Sequence, residues 1–166
     1  MGGTVYEDTR QQAGKHKAKH RWFEAHGVDV VRRKLDFGDY MADGSNVSVD
    51  TKKDIYEVAS NLTAQHDRFR RECERAAAEG CRLVVLVENR SGVSDLGSLS
   101  EWREDADHLS MRVRRSGNRY ARRIDGATLS KAMSTMFERY GVRFEFCHPN
   151  DSARRICEEL GVSYEP

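Results

Sequence analysis

Three acidic residues and one lysine stand at spacings that could gather them around a single phosphate. In Val49-Asp50-Thr51-Lys52 the two-residue repeat of a strand puts the Asp50 carboxylate and the Lys52 ammonium on one face. Asp39 follows Phe37-Gly38 shortly upstream, and Asp8 ends a β-prone stretch near the start of the chain. Carboxylates brought together from separate strands can hold Mg²⁺ or Mn²⁺, which activates water and neutralises phosphate charge. A lysine beside them can position that water or stabilise the charge that develops. These residue types suggest phosphodiester hydrolysis, with Asp50 and Lys52 flanking one phosphate, Asp39 able to bring a second carboxylate to that point, and Asp8 or Glu7 a third. Glu7, Gln11 and Glu57 are candidates for support. A lone Asp-x-Lys on a strand is more often a solvated edge, so the reading rests on three acidic positions at expected strand ends.

Such a centre needs strands that end close together. Residues 5–9 read as a strand, and 11–26 as a helix with Ala18, Trp22 and Ala25 inward, closed by Gly27. The β-branched stretch 28–35 leads toward a hairpin with its turn at Asp43-Gly44 and its return arm over 46–53. Asp54 can cap a helix through Leu62; a second helix from Gln65 turns Phe69, Cys73, Ala76 and Ala77 inward and Arg68, Arg71 and Arg75 outward. Leu83-Val84-Val85-Leu86-Val87 is an unbroken apolar run of the kind buried on both faces, with Glu88 at its end. Between 89 and 125 periodicity disappears, which predicts a long mobile basic loop or insertion. Order returns with a helix on Leu129, Met133, Met136, Phe137 and Tyr140, a strand on Val142, Phe144 and Phe146, and a last helix on Ala153, Ile156, Cys157 and Leu160. This sequence of elements predicts an α/β fold: a mixed central sheet with helices on both faces, in a single domain over residues 1–166.

The chain has 166 residues, 38% hydrophobic and 33% charged, with a net charge of +1, so its total charge does not mark it as a nucleic-acid binder. The distribution is more informative. Lys15, Lys17, Lys19 and Arg21 cluster with His16 and His20, while Arg112, Arg114, Arg115, Arg119, Arg122 and Arg123 have no acidic residue between them. Local patches of this kind steer and hold a polyanion, so Arg10, Lys15, Lys19, Arg68, Arg71 and the 112–123 arginines are the candidate DNA contacts. Tyr120 and Trp102 could stack on unpaired bases. His16 and His20 lie one helical turn apart, yet the neighbouring lysines oppose a cation, which favours a solvated or phosphate-facing helix over zinc. The four cysteines have no metal-site spacing and read as free, buried thiols. No apolar run has the length of a membrane span, and no secretion signal opens the chain, so the expectation is a cytoplasmic protein without a membrane partner.

Asp8-Thr9-Arg10, Gly38-Asp39-Tyr40 and Val49-Asp50-Thr51-Lys52, in this order and followed by a helix, resemble the nuclease domain of XPF-type and Mus-type structure-specific endonucleases. The likeness is closest to short versions carried by phages and prophages, and runs through the arginine-rich helix to Glu88. It implies a restriction-endonuclease-like fold, DNA cleavage that depends on Mg²⁺ or Mn²⁺, metal binding by Asp8, Asp39 and Asp50, and catalysis by Lys52. Selectivity for branched or flapped DNA and a homodimer are also implied as options. The departures are specific. The family's glutamate after Asp-x-Arg is Gln11 here, its Glu-Arg-Lys is Asp50-Thr51-Lys52, and its later aspartate falls on Tyr56. Gln11 and Tyr56 keep open a second reading, a catalytically silent DNA-binding module or partner subunit; an RNA-directed or junction-resolving activity is a third.

Overall fold

A computed structural model describes residues 2–166. Strands β1 (Thr4–Asp8), β2 (Asp29–Arg33), β3 (Tyr40–Ala42), β4 (Val47–Lys52), β5 (Arg82–Glu88) and β6 (Arg143–Cys147) form one sheet in the order β2-β1-β3-β4-β5-β6. The short β3 is antiparallel to β1 and β4, whereas β1–β2, β4–β5 and β5–β6 are parallel. The sheet is therefore mixed. Its helices are α1 (Lys17–Ala25), α2 (Ile55–Leu62), α3 (His66–Ala78), α4 (Leu96–Glu101), α5 (Ala106–Ser116), α6 (Gly126–Tyr140) and α7 (Ser152–Leu160).

β5 explains why both faces are covered. Leu83, Val85 and Val87 pack with Ile55 and Val58 of α2, Phe69 of α3 and Met133 of α6. The alternate residues Val84 and Leu86 pack with Phe23 of α1 and Ile156 and Leu160 of α7. An apolar run without polar interruption can satisfy two cores at once, each buried side chain contributing about 1.5–3 kcal/mol. β4 lies in register with β5, pairing Asp50 with Val85, Thr51 with Leu86 and Lys52 with Val87. In-register neighbours share a face. Asp50 and Lys52 therefore point to the α2/α3 side, and Thr51 to the α1/α7 side.

Three expectations are corrected. The hairpin joins β3 to β4; the 28–35 stretch instead supplies β2, which pairs parallel to β1 at the sheet edge. Helix α1 buries Phe23 and Lys19 while Ala18 and Ala25 are exposed, because Lys19 finds a carboxylate partner inside. The segment 89–125 is not a structureless loop: it carries α4 and α5. Its centre is polar. Glu104, 1% exposed, takes two hydrogen bonds from Arg112 at 3.0 and 2.8 Å, one from the Ile124 amide at 2.8 Å, and pairs with His108 at 2.7 Å. These bonds hold the Glu104 carboxyl down at about 2. A hydrophobic repeat cannot announce an element organised around a buried carboxylate.

Gly38 sets the entry to the site. Its φ is +63°, and a Cβ there would come within 2.4 Å of the Ser48 hydroxyl and 2.9 Å of the Val49 carbonyl on β4. Just beyond it, the Asp39 amide donates to the Val49 carbonyl and the Asp8 amide to the Asp39 carbonyl, each at 2.8 Å, so Asp39 is clamped between β1 and β4. Gly38→Ala is expected to lower unfolding free energy by about 1–3 kcal/mol from the left-handed backbone alone, with the clash adding to it. Urea unfolding of the two proteins side by side measures the difference; an unchanged midpoint would contradict this view of the turn.

Candidate functional site

The strand ends open into a cleft of about 440 Å³ whose walls include Asp39, Asp50, Thr51, Lys52, Glu57 and Glu88. Gln11, Lys15, His16 and Lys19 close it from the α1 side. Asp50 is 9% exposed, and the Lys52 ammonium lies 2.8 Å from its carboxylate. Asp39 Oδ2 accepts from both the amide and the hydroxyl of Thr51, at 2.8 and 2.7 Å. Three consecutive residues of β4 thus hold the centre: Asp50 and Lys52 pair with each other on one face, and Thr51 fixes Asp39 from the other.

Burial pushes the Asp50 carboxyl up to about 7; Lys52 opposes the rise and the nearby Asp39 adds to it. Burial also works against the Lys52 charge, but the Asp50, Glu57 and Asp39 carboxylates outweigh it and raise the ammonium above its ordinary value. The lysine is therefore a fixed cation. A carboxyl crowded by burial and a second acid gains most from any positive charge that reaches it.

The sequence marks Glu88 only as the end of an apolar strand. It is 8% exposed, pairs with Lys19 at 2.5 Å and accepts from Ser152 at 2.7 Å. A lone glutamate closing a buried strand was the available signal. His16, whose ring lies 2.5 Å from the Gln11 side-chain oxygen, is held below its ordinary pKa by burial and by Lys19. It borders the cleft, with its charged form disfavoured there.

The cleft does not gather every candidate. Asp8 is not among its lining residues: its carboxylate accepts from Arg10 and from the Leu35 amide, which stabilises the loop leading to Gly38. Arg10 spends its guanidinium on Asp8 and on the Leu35 carbonyl at 2.9 Å. Glu7, 1% exposed, meets His20 at 2.6 Å and accepts from the Tyr40 hydroxyl at 3.2 Å, tying β1 to α1 and β3. Glu57 borders the cleft and accepts from the Lys53 amide at 2.7 Å. Lys15 is exposed on the rim, whereas Lys19 is buried on Glu88. Arg68 and Arg71 remain on the outer side of α3. Arg115, Arg122 and Arg123 line a second groove beyond Lys53; Arg112 also borders it but is committed to Glu104, and neither Arg114 nor Arg119 lines it.

Among the described residues no three Asp, Glu, His or Cys side chains are placed to hold a metal by themselves. Mg²⁺ asks for less. It is commonly bound through one or two carboxylates, with waters and substrate phosphate completing the shell. The all-oxygen pair Asp39 and Asp50 fits such an ion, and the raised Asp50 carboxyl supplies the electrostatic reason to bind it.

A mixed sheet with helices on both faces and acidic residues at adjoining strand ends places the molecule in the restriction-endonuclease-like class. The ERCC4 domain model matches residues 8–158, and the chain belongs to that family. XPF from Aeropyrum pernix shares 19% identity over 95% of this chain and 60% of its own, with a TM-score of 0.61. A second structure of that protein, in complex with DNA, gives a TM-score of 0.63 at 19% identity over 96% of this chain and 64% of its own. The chain thus spans less than two thirds of the length of either. No curated protein matches.

The Asp50 shift sets a pH dependence. Its folded-state value lies above the ordinary carboxylate value, so the folded chain holds a proton that the unfolded chain has released between about pH 4 and 7. Stability contributed this way is complete below that window and lost as pH rises through it. The stability of the metal-free wild type relative to Asp50→Asn is therefore expected to fall steadily across these pH values. Thermal unfolding in a chelating buffer measures it, and a difference independent of pH would contradict the burial of an ionisable Asp50.

Proposed function

We propose that the chain is a single nuclease domain that hydrolyses phosphodiester bonds in DNA with the help of Mg²⁺ or Mn²⁺, at the cleft of Asp39, Asp50 and Lys52. The observation that carries this reading is the convergence of two carboxylates and a fixed ammonium at the end of β4. Family membership supports it, as does the likeness to a protein whose structure was solved with DNA.

Asp39 and Asp50 would hold the ion; when bound, it supplies positive charge for the scissile phosphate and lowers the pKa of water beside it. Thr51 keeps Asp39 from rotating away, so its carboxylate stays at the cleft that Asp50 also lines. Lys52 remains protonated at neutral pH and can donate a hydrogen bond to the attacking water or to a phosphate oxygen as negative charge builds. Exposed Lys15 and Lys53 on the rim attract the backbone of the substrate. Asp8 has a positioning role in this scheme, holding the loop before Gly38 through Leu35.

The second reading, a DNA-binding module without cleavage, draws on Tyr56. Where the family motif has an aspartate, this tyrosine stacks on His108 at 3.5 Å and donates to Asp105 at 2.8 Å, so it fastens α5 to α2. A position that could carry a carboxylate has been given to packing.

End-labelled duplex, single-stranded, flap, fork and four-way DNAs incubated with and without Mg²⁺ or Mn²⁺ separate these readings. Cleavage that needs the metal and falls by about 10²-fold or more in Lys52→Ala and in Asp50→Ala is expected. Salt-dependent binding to every DNA with no metal-dependent cutting would select the silent module instead.

A further inference from the structure

A groove of about 1100 Å³ runs between α2 and α5, and Lys53 and Glu57 border both it and the acidic cleft. It is continuous with the site. Its charges are unequal in availability. Asp54 is occupied in capping α2 through the Glu57 amide at 2.8 Å. Asp125 binds Arg103 and caps α6 through the Ala127 amide at 3.0 Å. By contrast, among the described residues the side chains of Lys53, Arg115, Arg122 and Arg123 have no hydrogen-bond or ion-pair partner in the protein. Four uncompensated cations along one groove make a track for a polyanion.

The groove is not lined by charge alone. Met111 is 47% exposed within it, and the half-buried Ile124 and Tyr56 lie alongside. Duplex DNA offers phosphates to a protein surface but keeps the faces of its bases stacked inside. An apolar strip flanked by free arginines suits a strand whose bases are unpaired, bases resting on the strip and phosphates on the cations. A flexible methionine adapts to any base, which favours a sequence-tolerant contact.

We infer that this groove is a binding site for an unpaired nucleic-acid strand that continues from the acidic cleft past Lys53, held by Arg115, Arg122 and Arg123 and seated on Met111. The inference extends the proposed function by naming the form of nucleic acid that enters next to the cutting centre. It also gives a purpose to the α5 segment, which the buried Glu104 orders and the Tyr56–His108 stack fixes against α2.

The test is equilibrium binding of the whole chain to a fluorescent oligothymidine of about 12 nucleotides and to a blunt duplex of equal length, in EDTA so that no cutting occurs. In Arg115→Gln/Arg122→Gln/Arg123→Gln the single strand is expected to bind at least about tenfold more weakly, and its log–log salt slope to fall by about 2. Duplex affinity should change much less. Met111→Ser, which alters no charge, should weaken single-strand binding several-fold and leave the salt slope as it was; it stands independently if the triple variant unfolds. Equal losses on both DNAs, or no loss on the single strand, would overturn the groove. A protein that binds the strand in this way and cuts nothing with metal would refute the proposed hydrolysis while leaving the groove in place.

Discussion

The Asp50 carboxylate lies buried near the end of β4 within electrostatic reach of Asp39, and much of the surrounding structure compensates that charge. Ionised and uncompensated, a buried acid of this kind would shift the folded state toward protonation or unfolding. Lys52 compensates Asp50 from two residues along the same strand, and Thr51 takes Asp39 with its amide and hydroxyl. The alternation of a strand makes both possible at once. The antiparallel β3–β4 pairing, made tight by Gly38 against Ser48 and Val49, brings Asp39 to the right end of that strand.

A second layer of polar ties supports the first. Lys19 crosses from α1 to Glu88 at the end of β5, and His20, one position later, meets Glu7 on β1. These ties pin the helix that walls the cleft, where packing alone would rest chiefly on Phe23. Breaking one partner of such a buried pair costs more than forming the pair gains, so the ties specify position more than they add stability. The cleft therefore has cations on its rim and acids in its floor.

The elements built on apolar repeats were legible in the sequence. The two-sided core around β5, the inward residues Leu129, Met133 and Met136 of α6, the inward face of α7, the Asp54 cap and the Asp50/Lys52 pairing follow from hydrophobic period or from a single-residue rule, whereas Phe137, which the same period turns inward, is 54% exposed. What escaped was built on buried polar contacts. Lys19 reads as a surface cation until Glu88 is placed opposite it, and nothing in the spacing announces that Leu35 and Arg10 lie on the two oxygens of Asp8. The 89–125 segment shows no hydrophobic period because its organiser, Glu104, is charged. In each case the missing information was a partner distant in the chain, which spacing along a single strand or helix cannot supply.

The most direct test of the centre is a Mn²⁺ titration followed by electron paramagnetic resonance, without DNA, on the wild type, Asp39→Asn and Asp50→Asn. If the two carboxylates form the ion's protein ligands, the wild type binds and each variant binds at least about tenfold more weakly. Undiminished Mn²⁺ binding in Asp50→Asn, with the fold intact, would contradict the assignment of this cleft as the metal-holding centre.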